Sequence, residues 1–259
     1  MNKPTGTDTR ESPWIPLSAS TRFLFGNKQL LGWSALLVLI TALLTWLGFI
    51  LTTGMMDRMT GAFFSTPPLH ESIWGWITYG AWVAGYWIFL IVSRIIAFFL
   101  AFLTAYSLSA PLYVFLSTAT EKLYCREEFK ADDGFSAAAL LRDLLEGAKI
   151  GLFGILVTIV ALAVSFIPFL GQVAVFILYA FYSALMFIDY PTSRRRWRLG
   201  QKISWLNRHK SLSFRLGVIP AGISMIPVLN LFLMALIFPL FTVHATLNFY
   251  TAERMEQRR

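Results

Sequence analysis

The sequence predicts an all-α integral membrane protein: two long transmembrane helices, then two Pro-broken, half-penetrating helical hairpins. Three observations lead there. Of the 259 residues, 56% are hydrophobic and 14% charged, against about 25% charged in soluble domains. Several apolar runs exceed the roughly 18 residues that mark a membrane span. One broken motif also occurs twice inside such runs: "SFIPFLGQ", Ser165 to Gln172, shares its Ser, Ile, Pro and Leu with "SMIPVLNL", Ser224 to Leu231.

The elements follow in order. Residues 1–29 form a polar segment with turn residues at Pro4, Gly6, Pro13 and Pro16, lacking the charged-then-apolar pattern of a cleaved signal. A single membrane domain is expected over 30–250, opening with a span over 30–53 that covers about 36 Å, enough to cross with some tilt. The loop at 54–72 carries Arg58 as its only basic residue. From Ile73 to Phe115 the only charge is Arg94, and Trp74, Trp76, Tyr79 and Trp82 cluster at the start, as aromatic residues do at a headgroup boundary. "IVSRIIAFF" holds no Gly or Pro, so one long helix over 73–116 is expected, with two separate spans as the alternative. Arg94 then falls near an interface, where it either snorkels or lines a pore. Over 136–150, Leu140, Leu141, Leu144, Leu145 and Ala148 share one face, predicting an amphipathic helix.

The hairpins are read at 151–189 and 214–248, with a basic loop at 190–213 between them and a charged tail at 251–259. The limb from Phe214 to Ile226 reaches only about 20 Å, short of the ~30 Å hydrocarbon core. Pro168 and Pro227 remove an N–H and push the preceding residue out of helical geometry. Gly171, and Asn230 at the matching position, are expected to supply left-handed dihedrals at the turns. Such turns survive at membrane depth only inside protein or beside water, and paired, interrupted segments are a transporter cue. The alternative is two pairs of tilted short helices with ordinary turns at the surface.

All 22 Lys and Arg residues except Arg58 and Arg94 fall in segments that would share one face if both hairpins return to their starting side. The positive-inside rule makes that face cytosolic. The charge of +8 therefore points to a membrane surface and anionic lipid rather than nucleic acid. One cysteine, Cys125, and three scattered histidines offer no metal spacing. No nucleophile–base set, paired intramembrane carboxylate or phosphate-cradling loop occurs, so no enzyme, metal or cofactor is expected, and transport would be channel-like without an ATPase of its own.

Asp189 and Pro191, in "DYP", are expected to stop the first hairpin, with Asp189 paired to the arginines that follow. Glu121 is expected to pair with Lys122 or the basic loop. His244 and Asn248 lie four apart, on one helical face. They suit hydrogen bonding to a neighbouring helix, with a role in permeation as the alternative.

"FIPFLGQ", "DYP" after "ALMFI", the basic stretch, "MIPVLNLF", a terminal Ala245-Thr246 and "SAPL" at Ser109 to Leu112 together resemble the CysZ sulfate permease family of bacterial inner membranes. The resemblance implies a multi-pass protein that assembles into homo-oligomers and takes up sulfate for cysteine biosynthesis. It also implies a Gly-x-Arg-Arg substrate turn opening the first transmembrane helix, which falls here on Gly26, Asn27, Lys28 and Gln29. Lys28 supplies a point charge without arginine's fork, and Gln29 donates without charge. Sulfate or a related small oxyanion is the expected ligand, with Arg22 as an added cation; the competing role for Lys28 is an interfacial anchor. A membrane scaffold binding lipid or protein through its basic loop is the alternative function.

Overall fold

The computed structural model describes residues 14–62, 64–69, 71–125 and 137–257. Pro4, Gly6 and Pro13 lie outside them, as do the side chains of Leu140, Leu141, Leu144 and Pro227. Among the described residues every regular element is a helix: α1 Leu17–Gly26, α2 Lys28–Thr60, α3 Ile73–Cys125, α4 Ala137–Ser165, α5 Leu170–Ser193, α6 Leu199–Arg208, α7 Lys210–Ser224 and α8 Pro227–Gln257. Among the described residues four stretches are long and apolar enough to cross a membrane: α2, α3, Leu145–Ser165 of α4, and α5. Their apolar side chains largely face outward, with Leu51 73% and Leu152 68% exposed, as a lipid-facing surface requires. This is an all-α integral membrane protein.

Two compact units are built from these helices, Leu36–Ala110 and the remainder, Met1–Ala35 with Pro111–Arg259. The first is an antiparallel helix pair. Thr41 Oγ1 donates to Ser109 Oγ at 3.1 Å, Gly48 lies against Ala101, and Asp57 meets Arg94. Ser93, Ala97, Ala101, Ala105 and Ser109 recur every fourth residue along α3, and all five are buried. Small residues at this spacing let two backbones approach where lipid supplies no hydrophobic drive of its own. Phe64 folds back from the α2–α3 connection onto Trp82, Tyr86 and Phe89, with ring centroids 6.2, 5.4 and 5.2 Å away.

In the second unit α5 is the hub, packing on α4, α6, α7 and α8. Its tightest partner is α7. A Cβ at Gly217 would run into the Ala180 carbonyl and crowd the Ala184 amide, and both alanines are fully buried. Glycine there lets the α7 backbone press directly against that of α5. Beside it Tyr113, Phe187 and Phe238 form an aromatic core, with Phe238 4.8 Å from Tyr113 and 4.5 Å from Phe187 between ring centroids.

Residues 73–116 belong to one unbroken helix, α3, as expected; it is about 80 Å long and continues through Pro111 to Cys125. Other local expectations are corrected. The helix expected over 136–150 is not separate: residues 137–150 and the first hairpin limb are one helix, α4. Gly171 does not adopt a left-handed conformation; Phe169 does, at φ 61°. Gly171 sits in the first turn of α5, where a Cβ would strike the Val164 carbonyl of α4, so it serves closeness rather than dihedral freedom. Asn230 is likewise helical, its N–H bonded to the Ile226 carbonyl at 2.8 Å, because α8 starts at Pro227 itself. Proline is well suited to a first helical position, where its missing N–H has no partner to lose. Pro168 falls in the α4–α5 turn as expected.

Gly217→Ala is expected to lower stability by about 1–3 kcal/mol through overpacking against α5. Gly80→Ala, where a Cβ meets nothing within 4 Å, should shift stability by no more than about 1 kcal/mol, and in the stabilising direction. Thermal unfolding of both variants in the same detergent checks the difference.

Candidate anion-binding site

The four-residue turn at Gly26–Gln29 is a break between two helices. Asn27 leaves helical geometry at φ −115°, ψ 103°, ending α1 and preceding α2. Its side-chain Nδ2 donates backward, to the Phe23 carbonyl at 2.6 Å, and so serves the end of α1. Its carbonyl accepts the Leu31 N–H at 3.1 Å, the first intrahelical bond of α2. The amides of Lys28, Gln29 and Leu30 therefore have no acceptor further back in α2, and the helix dipole is positive there. Lys28 and Gln29 are exposed, as are Gly26 and Arg22, whereas Leu30 is buried and anchors the helix start. Arg22 and Gly26 lie four apart on α1, hence on one face. Free amides, a helix N-terminus, a lysine and a nearby arginine make a surface that suits a small dianion. Gly26 has a negative φ and open space at its Cβ position, so this geometry does not itself demand glycine.

The other candidate residues do different work. Arg94 is neither a lone snorkelling cation nor an unpaired one: its Nη2 donates to both Asp57 carboxylate oxygens at 2.9 Å. Asp57 lay outside the apolar run in which Arg94 was read, so the pairing escaped sequence reasoning. Glu121 does pair with the basic loop, accepting from Arg194 at 2.5 Å with only 4% of its side chain exposed. Tyr250 also accepts from Arg194, at 3.3 Å. Asp189 does not pair with the following arginines. Its partner is Lys202 of α6, at 2.5 Å and completely buried, and it also accepts from Ser193 Oγ at 3.2 Å. Pro191 does not stop α5, which runs on to Ser193.

The stop comes from the backbone. The Trp197 N–H reaches the Thr192 carbonyl and the Arg196 N–H the Ser193 carbonyl, at 3.2 and 2.8 Å, with Arg196 at φ 55°. That is a Schellman ending with an arginine at the left-handed position. It turns the chain so that Arg195 faces α8. There Arg195 donates to Glu253 at 2.6 Å and lies over the Phe249 and Tyr250 rings, 4.9 and 5.0 Å from their centroids. Trp205 Nε1 donates to the other Glu253 oxygen at 3.0 Å.

His244 and Asn248 tie the N-terminal segment to α8. Ser20 Oγ lies 2.8 Å from His244 Nδ1. Asn248 exchanges two hydrogen bonds with the Ile15 backbone, at 2.9 and 3.1 Å. The Ser20 contact joins two helices, as expected for a polar residue in an apolar helix, while Asn248 holds the extended segment that leads into α1. Among the described residues no group of three or more His, Cys, Asp or Glu side chains is placed to hold a metal ion.

The profile of the family described as "Sulfate transporter CysZ/Etoposide-induced protein 2.4" matches residues 17–235. The chain belongs to this family. The match begins at the first residue of α1 and ends in the first turns of α8, so it spans both the α1–α2 break and the two Ile-Pro motifs of this CysZ-family protein. No curated protein matches the chain.

Removing Glu121 takes a hydrogen-bonded carboxylate away from the buried Arg194 guanidinium. Glu121→Ala is expected to cost about 3–5 kcal/mol. The measurement is unfolding in detergent beside Glu121→Ala/Arg194→Met, which should recover part of the loss.

Proposed function

We propose that this protein is a permease for sulfate or a closely related small oxyanion in the bacterial inner membrane, supplying sulfur assimilation and cysteine biosynthesis. The observation that carries the reading is the α1–α2 break, where α2 begins with uncapped amides and an exposed lysine, within a chain of the CysZ family. The four residues Gly26, Asn27, Lys28 and Gln29 form the substrate turn, and Arg22 adds charge from the preceding helix.

The membrane arrangement follows from the same unit. Ile15, Glu121, the segment from Arg194 to Leu199, and Glu253 are joined through Asn248, Arg194, Arg195 and Trp205 near one end of α8. The Leu199 N–H also reaches Glu146 Oε2 of α4, at 3.2 Å. This supports placing the N-terminal segment, the basic loop and the end of α8 on one side, which the charge bias makes cytosolic. From there α4–α5 and α7–α8 enter the bilayer as hairpins. At 15 residues, about 22 Å, α7 is too short to cross. Its turn therefore ends within the membrane, in a homo-oligomer whose subunits shelter a water-filled path. Substrate moves through that path in a channel-like manner without nucleotide hydrolysis.

The test is uptake of radiolabelled sulfate into proteoliposomes holding folded, inserted protein, against empty vesicles, with selenate, molybdate and phosphate as competitors. Uptake above empty vesicles, blocked by the tetrahedral oxyanion that fits best, is the expected outcome. Absence of flux for every oxyanion would overturn the permease reading and return the chain to a scaffold role.

A further inference from the structure

A second cationic site lies elsewhere in the same unit. A cavity of about 530 Å³ is lined by Trp14, the α6–α7 junction and the last turns of α8. Arg208, Lys210 and Arg215 supply three positive charges to its wall. Among the lining residues Glu256 is the only carboxylate, and His209 Nε2 holds it at 3.1 Å. Arg208 and Lys210 are exposed and make no ion pair among the described residues. Arg215 is positioned by the Trp14 ring, its guanidinium carbon 5.7 Å from the centroid. The contrast with Arg194, Arg195 and Lys202 is sharp, since each of those is tied to a carboxylate.

The remaining surface of the cavity says what kind of anion it takes. Trp14, Leu212 and Met255 give it an apolar side. Lys210 also begins α7, and no side chain caps that helix, so first-turn amides face the same region as the three cations. From this point α7 continues as an apolar limb with Ile219 45% exposed. A charged head held at the start of α7 would thus have a greasy flank running away from it. The volume far exceeds what a bare oxyanion fills.

The geometry points to this cavity as a binding site for the phosphate of an anionic phospholipid, gripped by Arg208, Lys210 and Arg215, with its glycerol against Trp14 and its acyl chains along α7. Basic pockets at helix ends on the cytoplasmic side are a recognised way of holding such headgroups. The site is separate from the Gly26–Gln29 turn and stands whether or not the chain transports sulfate.

The experiment uses the full-length protein in a neutral detergent, titrated with dioleoylphosphatidylglycerol or dioleoylphosphatidylcholine and read by native mass spectrometry and thermal shift. Arg208→Gln/Lys210→Gln is compared with Lys122→Gln/Arg196→Gln, which removes the same charge outside the cavity. The expected result is preferential binding of phosphatidylglycerol, weakened on the order of tenfold by the cavity variant and unchanged by the control. Equal weakening in both variants, or none in either, would overturn the site. Displacement of the lipid by glycerol 1-phosphate at matching concentration would overturn the lipid assignment and give the cavity to a soluble phosphate ester. Unliganded melting temperatures of both variants separate loss of binding from loss of fold.

Discussion

The structure depends on neutralising charge where water is scarce. Three ion pairs carry that burden in the larger unit: Glu121 with Arg194, Asp189 with Lys202, and Glu253 with Arg195. Each joins a membrane helix to the short basic segment that follows α5. A buried ammonium such as Lys202, wholly shielded from solvent, is tolerated only with its counter-ion in hydrogen-bonding contact. Breaking one pair would take a close counter-charge from a shielded group, so α3, α5, α6 and α8 are held in mutual register by what each would lose alone. The aromatic core and the glycine-mediated contact of α7 on α5 then fill the space that this register creates.

The same constraint sorts the cations by use. Read as a string, the segment from Arg194 to Arg215 is one block of eight positive charges. In three dimensions it divides. The arginines nearest α5 and the buried Lys202 are structural, while Arg208, Lys210 and Arg215 remain at a cavity wall. Lys28 is another exposed cation, set at a helix start. The fold thus holds both kinds: charges fixed inside that define it, and charges left accessible at its surface.

Much of the fold was legible because membrane helices obey length and hydropathy rules that act locally. The all-helical class and the long helix through Arg94 followed from run length and the absence of Gly and Pro. The hydrogen-bonding role of His244 and Asn248 followed from four-residue spacing on an apolar helix. Other features were hidden by physics that sequence does not display. The turn glycine Gly171 looked like a source of unusual dihedrals, yet Phe169 takes that strain and Gly171 yields space to the Val164 carbonyl. Which cation meets Asp189 was decided by how α6 folds back after the Schellman ending, not by proximity in the chain. The four-residue stripe from Ser93 to Ser109 was readable in principle, being a regular run of small residues in a greasy helix. For the candidate turn, the sequence supplied the residues and the helix start, but not that Asn27 caps backward and leaves the amides of α2 open.

The central claim is that those open amides and Lys28 bind the substrate oxyanion. Isothermal titration of sulfate into detergent-solubilised wild-type protein and Lys28→Ala tests it most directly, with Arg58→Ala as a charge control. Removing one charge-assisted hydrogen bond is worth about 1.5–3 kcal/mol, so Lys28→Ala should weaken sulfate at least about tenfold while Arg58→Ala leaves it unchanged. Sulfate binding of equal strength in wild type and Lys28→Ala, with both proteins folded, would contradict the account.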